Sequence, residues 1–219
     1  METTCSVVVF PHIAIIESPK ASDVAAGFVE GDALSAALKV MKVQHKYYPV
    51  ANVAEMDRCM TQIAIDANIT PGHTAYFPML FVHYSMHGNT DGIELTNGDF
   101  IPWQQLGDKL MNFAHASGRI FPEVSAGILT VCFSTCDGLY GGRMAVGRPQ
   151  SPYYGIVGAK HKSNWRDSLT AFIAFYNCVC QPDAKLLEGV KRMNASIGKA
   201  DLFECRVAPQ VDVGTNERP

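Results

Sequence analysis

Two stretches of sequence decide the fold: LFVHYSMHGN over residues 80–89 and ILTVCFSTCDG over residues 128–138. Each is a nearly continuous apolar run of strand length that ends on a reactive side chain and a turn, at His87-Gly88 and at Cys136-Asp137-Gly138. Strands of this kind are typical of parallel sheets that helices cover on both faces. Ligands of such sheets bind beyond the carboxyl ends of the strands, so the His and the Cys can face one cleft if the two strands are neighbours.

The segments around these two strands alternate between apolar runs and helical periodicity. Six strands are expected, over residues 6–16, 44–50, 77–86, 127–135, 154–159 and 202–207, with a hairpin over 92–103 that turns on the two residues Asn97-Gly98. This alternation predicts an α/β fold, a single doubly wound domain whose mostly parallel sheet of about six strands is flanked by helices. The predicted domain covers residues 1–208, and residues 209–219 form a C-terminal tail.

Short polar residues indicate where several helices begin. Asn52 followed by Glu55 has the spacing of a capping box. Asn164 or Ser163 is expected to cap a later helix, and Asp183 after a proline is expected to cap the next one.

Composition excludes several classes of protein. Hydrophobic residues make up 47% of the chain and charged residues only 18%, which is inconsistent with a disordered protein. The net charge of −3 indicates no direct nucleic-acid partner. No apolar run approaches the ~20 residues that span a bilayer, and no basic leader precedes the first apolar run, so we expect a cytoplasmic protein without a membrane partner. The seven cysteines are irregularly spaced and are expected to be reduced thiols.

The common motifs of doubly wound sheets are absent from the sequence. It contains no G-x-G-x-x-G dinucleotide motif, no G-x-x-x-x-G-K-[ST] phosphate loop and no G-x-S-x-G nucleophile elbow. The chemistry is therefore sought in the His and the Cys at the two strand ends.

A neighbouring His87 and Cys136 suit nucleophilic catalysis. The imidazole takes the proton of the thiol and later returns a proton to the departing amine. Gly88 lets a backbone N–H approach the substrate carbonyl, and together with the N–H of Cys136 it is expected to form an oxyanion hole. This hypothesis requires no metal and no organic cofactor.

The motifs SMHG at 85–88 and STCDG at 134–138 resemble the two active-site motifs of the caspase-like cysteine peptidases. Caspases carry their His about 50 residues before the Cys, and here the separation is 49 residues. The resemblance spans roughly residues 6–207 and is closer to the prokaryotic caspase-like and CHAT-type branches than to animal caspases. It implies an endopeptidase that acts on a protein substrate, with an activating protein partner or complex, and an effector role in prokaryotic immunity or programmed cell death.

The resemblance also implies roles for residues around the nucleophile. Metacaspase-like enzymes carry an Asp two residues before the Cys, where it binds a basic P1 side chain, and caspases carry Gln. This chain has Ser134 there and Asp137 after the Cys, so no cleavage preference follows. In caspases the loop after the fifth strand lines the substrate cleft, which implies substrate-binding roles for Lys160 and His161.

Residues 139–152 are predicted to form a long mobile loop, because they are rich in Gly and Pro and have no periodicity. The matching region of caspases is the linker between subunits. The resemblance therefore implies a regulatory loop with Arg143 and Arg148 as accessible basic positions.

Two alternatives remain open. His83 with His87 and Cys132 with Cys136 have the residue types of a zinc site. On a strand, however, residues four apart lie about 13 Å apart, whereas zinc ligands lie within ~2.3 Å of the ion. His83 and Cys132 are therefore expected to be core residues. The other alternative is a catalytically inactive caspase-like domain that serves as a binding or regulatory module.

Overall fold

A computed structural model describes residues 12–68, 79–116 and 129–207 of the chain. Its strands are β1 (His12–Ser18), β2 (His45–Pro49), β3 (Leu80–Gly88), β4 (Gly92–Glu94), β5 (Phe100–Pro102), β6 (Leu129–Ser134), β7 (Gly155–Ala159) and β8 (Phe203–Val207). Its helices are α1 (Ala21–Ala25), α2 (Glu30–Val40), α3 (Val53–Asn68), α4 (Trp103–Ala116), the 3₁₀ helix η1 (Gly138–Ala145), α5 (Trp165–Val179) and α6 (Leu186–Ser196). The early parts of three predicted strands, at residues 6–11, 77–78 and 127–128, and the predicted tail at 209–219 lie outside the described residues.

The main sheet has the strand order β2-β1-β3-β6-β7-β8. All of its neighbouring strands are parallel except β8, which runs antiparallel to β7. The small hairpin of β4 and β5 attaches to the carboxyl end of β3. The predicted doubly wound α/β architecture is therefore confirmed.

Alternate side chains of the central strands enter two separate apolar layers. Val82 and Tyr84 of β3 pack on the side of α3, α4 and η1, whereas Phe81 packs on the side of α2, α5 and α6. Burial on both faces explains why β1, β3 and β6 read as nearly continuous apolar runs. Within the described ranges, no helix is long and apolar enough to cross a bilayer.

The predicted hairpin is present, but its loop is longer than expected. The N–H of Leu95 donates to Asp99 O at 2.8 Å, and the N–H of Gly98 donates to Leu95 O at 2.9 Å. Thr96, Asn97 and Gly98 therefore form a three-residue loop, in which Gly98 adopts φ +89°. Glycine takes this left-handed conformation without steric cost, which permits a turn with one more residue than the two-residue form.

The prediction of an irregular loop over residues 139–152 is wrong over 139–145, which belong to the helix η1 (Gly138–Ala145). Leu139 and Met144 are buried in this helix. A Cβ at Gly141 would lie 2.6 Å from the ring of Phe133. Gly141 therefore permits close packing against Phe133, and the glycine content of this segment was misread as a sign of irregular backbone.

The structure confirms two predicted helix caps and corrects a third. The N–H of Glu55 donates to Asn52 Oδ1 at 2.9 Å, and the N–H of Asp167 donates to Asn164 Oδ1 at 2.8 Å. Asp183 caps no helix, because it adopts φ 60° and α6 begins only at Leu186.

Candidate active site

The strand register places His87 and Cys136 at the same edge of the sheet. Strands β3 and β6 are parallel neighbours, and Ser85 lies opposite Ser134. His87 and Cys136 each follow two residues later, His87 within β3 and Cys136 in the turn after β6, so both lie at the carboxyl ends of their strands. Both line one cavity of about 380 Å³, to which Gly88, Asp137 and Lys162 also contribute.

His87 is held by two residues that lie far from it in the sequence. Its Nε2 lies 2.5 Å from Asp23 Oδ2, on the short helix α1 that follows β1. The ring of Trp165, at the start of α5, meets the imidazole edge to face at 5.4 Å between centroids. A carboxylate oxygen that accepts from Nε2–H leaves Nδ1 as the acceptor nitrogen of the ring.

Sequence analysis missed Asp23. Its partner His87 is 64 residues away, and no short-range pattern links a helix after the first strand to a turn after the third. The one available signal was position, because Asp23 follows the carboxyl end of β1, which lies beside β3 in the sheet.

Cys136 is half-buried, and its thiol donates to the carbonyl of Ser163 at 3.6 Å. The following residue, Asp137, adopts the left-handed φ of 55°, and its N–H donates to His161 O at 3.4 Å. This turn joins the end of β6 to the segment after β7, so the two segments that flank the thiol are tied together.

Other thiols of the described residues lie in less reactive surroundings. Burial raises the pKa of Cys59, Cys132 and Cys180 to about 12 in each case. Burial also raises the pKa of Cys205. Because the thiolate is the nucleophile, these four side chains are poor candidates for covalent chemistry.

Gly88 lies where a side chain would be crowded. A Cβ at this position would lie 3.1 Å from Thr135 Cβ and 3.2 Å from Gly92 O. The backbone of the turn after β3 therefore approaches the turn after β6 closely, as an oxyanion site between Gly88 and Cys136 requires.

The predicted substrate-binding residues separate into three places. Asp137 lines the cavity that holds His87 and Cys136. Ser134 is buried beneath Cys136, and its hydroxyl has no hydrogen-bond partner among the described residues. Lys160 and His161 line a neighbouring cavity instead, and Lys162 takes the place beside the cysteine.

The two arginines that were expected to be accessible are anchored by hydrogen bonds. Arg143 donates to the carbonyl of Thr90 at 2.8 Å. Arg148 contacts Asp108 at 2.8 Å, and its side chain is only 18% exposed. The expectation that both are accessible basic positions is wrong for Arg148, because α4 and η1 cover it.

His83 and Cys132, the other half of the zinc alternative, lie in the core as predicted. Both are fully buried. The ring of His83 packs edge-on against Phe172 at 4.5 Å, and its Nδ1 lies 3.1 Å from the hydroxyl of Tyr176. In the described part of the chain, no group of three or more His, Cys, Asp or Glu residues is arranged to hold a metal ion.

Comparison with solved structures identifies the fold. The chain is similar to the complex of Porphyromonas gingivalis RgpB pro- and mature domains, with a TM-score of 0.52 and 9% identity over 91% of this chain and 47% of that one. It is similar to the Arg-specific cysteine proteinase gingipain R, with a TM-score of 0.52 and 11% identity over 90% of this chain and 46% of that one. The chain thus spans about half the length of both proteins.

These similarities and the strand order show a caspase-like fold. No protein-family model matches the sequence, and no curated protein matches it.

Proposed function

We propose that this caspase-like domain is a cysteine endopeptidase, with Cys136 as the nucleophile and His87 as the general acid and base. One observation carries the proposal. His87 and Cys136 follow neighbouring parallel strands in matched register and line the same cavity of a fold shared with cysteine proteinases.

The proposed reaction is acyl transfer. As the thiol proton passes to His87, Sγ of Cys136 attacks the scissile carbonyl carbon, and the N–H groups of Gly88 and Cys136 hold the resulting oxyanion. His87 then donates the proton to the departing amine as the C–N bond breaks. Water, deprotonated by His87, attacks the thioester; the acid product leaves and Cys136 regains its proton.

Asp23 has a positioning role in this proposal. By accepting from Nε2 of His87, its carboxylate fixes the ring orientation and directs Nδ1 to the reaction. It also stabilises the imidazolium that forms when the thiol loses its proton. Asp23 does not touch the substrate in this scheme.

Labelling with a peptide library that carries a thiol-reactive electrophile tests the proposal. Purified chain is treated with the library, and the modified cysteines are mapped by mass spectrometry. Cys136 should react before all other cysteines, and His87→Ala should remove the preference. Cys178 is the matched reference, because it is also half-buried. Equal labelling of Cys136 and Cys178 would favour the inactive binding module. The peptides that label fastest then reveal the P1 preference.

The proposed setting is that of a prokaryotic effector that cuts a partner protein in immunity or programmed cell death. The resemblance of the two active-site motifs to the prokaryotic caspase-like branches supports this setting. Expression of the chain and of its Cys136→Ala variant in a bacterial host, with and without phage challenge, tests it by comparing survival. Equal survival in both conditions contradicts the effector role and leaves the peptidase proposal intact.

A further inference from the structure

A second, larger cavity of about 750 Å³ lies beside the candidate active site. The helix η1 forms one wall, and the residues after β7 and at the end of β8 form the other. This cavity, here called the η1 groove, is lined by Tyr140, Arg143, Lys160, His161, Arg206 and further mostly apolar residues. The proposed chemistry does not use it.

The described lining of the η1 groove combines positive charge with apolar surface. It includes the cations Arg143, Lys160 and Arg206, and it includes no acidic residue. Three apolar or aromatic side chains are exposed there: Val146 at 64%, Val207 at 49% and Tyr140 at 39%. Exposed apolar surface bordered by charged groups marks interaction sites in soluble proteins.

Two of these cations are paired with carboxylates that do not themselves line the groove. Lys160 contacts Asp201 at 2.8 Å, and Arg206 contacts Glu204 at 2.9 Å. Asp201 is 83% exposed and Glu204 is 38% exposed. Exposed ion pairs of this kind contribute little to stability, so an arriving anion can exchange with them at small cost.

Arg143 is also paired with an exposed carboxylate. It contacts Asp91, which is 73% exposed, at 3.3 Å. Its guanidinium lies over the ring of Tyr140 at 5.1 Å. The stacked ring restricts the long side chain, so a bound carboxylate meets a partly preordered donor group.

The groove borders the segment that carries the nucleophile. Helix η1 begins two residues after Cys136, and Tyr140 N–H donates to Asp137 O at 2.9 Å. Asp137 in turn donates to the carbonyl of His161, which lines the groove. A ligand between η1 and His161 therefore contacts both segments that flank the thiol.

We propose that the η1 groove binds an extended segment of a partner protein in which acidic and apolar residues alternate. Charge complementarity selects acidic side chains for Arg143, Lys160 and Arg206, and Tyr140, Val146 and Val207 receive the apolar ones. An extended chain suits the site, because the groove reaches the carboxyl end of the edge strand β8 at Arg206 and Val207. The outer edge of β8 pairs with no other described strand.

Binding is tested on the Cys136→Ala chain, so the result does not depend on catalysis. An immobilised library of extended peptides with alternating Asp or Glu and apolar residues is compared with a matched library in which Lys replaces the acids. The chain should be retained by acidic members only, and retention should weaken as salt is raised. Failure to prefer the acidic library overturns the proposal, whatever the outcome for the peptidase.

Charge-reversal variants of the chain test whether the selected peptides bind in the η1 groove. Arg143→Glu and Arg206→Glu should each weaken binding about tenfold or more, as expected for loss of a charge-assisted hydrogen bond. Arg192→Glu on α6 is the matched control, because Arg192 is similarly exposed and does not line the groove, and it should bind normally. Equal loss in all three variants contradicts the site.

A competition experiment separates a protein segment from a small polyanion. Inorganic triphosphate should displace the selected peptide only weakly, because it cannot fill the apolar part of the groove. If triphosphate displaces the bound peptide at the same concentration at which free peptide does, the assignment to a protein segment is overturned.

Discussion

The chain carries two His/Cys pairs along β3 and β6 or directly after them, and the two pairs lie in different surroundings. His83 lies opposite Cys132 in the register of β3 and β6, and both are fully buried. His87 and Cys136 follow four residues later and line a cavity. Residue types and spacing are the same in both pairs. The difference is that the helix layer covers the first pair and ends, at the start of α5, beside the second.

Burial changes the chemistry of His83 and Cys132, here called the inner pair; His87 and Cys136 are the outer pair. It raises the pKa of Cys132 to about 12, so this thiol remains protonated at neutral pH. His83 interacts with Tyr176 and with the buried carboxylate of Glu30, whose Oε2 lies 3.5 Å from Nε2. The inner pair therefore contributes to the core, whereas the outer pair lines a cavity.

The largest expected difference between the pairs is in the cysteines. Cys136→Ala should lower kcat/KM by about 10⁴-fold or more, because it removes the nucleophile, and it should leave the thermal midpoint almost unchanged. Cys132→Ala should keep most of the activity and lower the free energy of unfolding by about 1–2 kcal/mol, because it opens a small cavity. Peptide cleavage and thermal unfolding measure the two effects. Loss of activity in a folded Cys132→Ala protein would mean that the inner cysteine is the nucleophile.

The two histidines should also differ, because His87 is expected to affect catalysis and His83 stability. The effect of His87 on catalysis should be smaller than that of Cys136. His87→Ala should lower kcat by about 10²–10⁴-fold, the range for general acid–base catalysis. His83→Gln should keep kcat per folded molecule and cost about 1–3 kcal/mol of stability, because it leaves buried polar partners unsatisfied. Active-site titration with a peptide electrophile corrects kcat for the folded fraction. Equal kcat losses in both variants contradict the distinction.

Asp23 contacts the imidazole of His87 in the outer pair, and this contact is expected to position the ring. Asp23→Asn should lower kcat by about tenfold to a hundredfold with little change in KM, because the amide cannot replace the charge-assisted hydrogen bond to His87. Asp23→Glu should recover part of kcat. Asp32→Asn on α2 is the matched control, because Asp32 is not in contact with His87. A rise in KM alone would place Asp23 in substrate binding instead.

The smallest expected effect concerns Glu17, which lies between the two pairs beside Ser85. Burial raises its pKa above the ordinary value of 4.5, although Tyr47 and the N–H of Gly31 donate to it. The folded protein therefore holds this proton to higher pH than the unfolded chain does. The contribution of protonated Glu17 to the free energy of unfolding is complete below pH 4.5 and is lost as pH rises through the folded pKa of this carboxyl.

Denaturant unfolding measured over a range of pH checks whether the contribution of Glu17 falls as pH rises. The free energy of unfolding of the wild type, relative to Glu17→Gln, should fall as pH rises above 4.5. Glu188→Gln, at an exposed position, should show no such trend. A relative stability that rises with pH would mean that the N–H groups at the start of α2 stabilise the ionised carboxylate more than burial destabilises it.

Local patterns were sufficient for the order of the strands and of the longer helices and for the candidate cysteine and histidine, but not for the short helices α1 and η1. β3 and β6 are buried on both faces, so their apolar runs were visible without structural information. The caps at Asn52 and Asn164 were also predictable, because each hydrogen bond spans only three residues. Asp183 had a similar local pattern but caps no helix, since the chain takes a left-handed turn there before α6 begins.

By itself the sequence determined which side chains end the buried strands, because apolar periodicity and turn residues are local properties. Only the tertiary structure decided what surrounds them. Parallel pairing of β3 with β6 set the register of His87 and Cys136, and the fold of the chain after β1 brought Asp23 to the imidazole. Packing against Phe133 turned a glycine-rich segment into η1. These contacts join residues distant along the chain, and their free energy comes from burial and hydrogen bonds that no local pattern encodes.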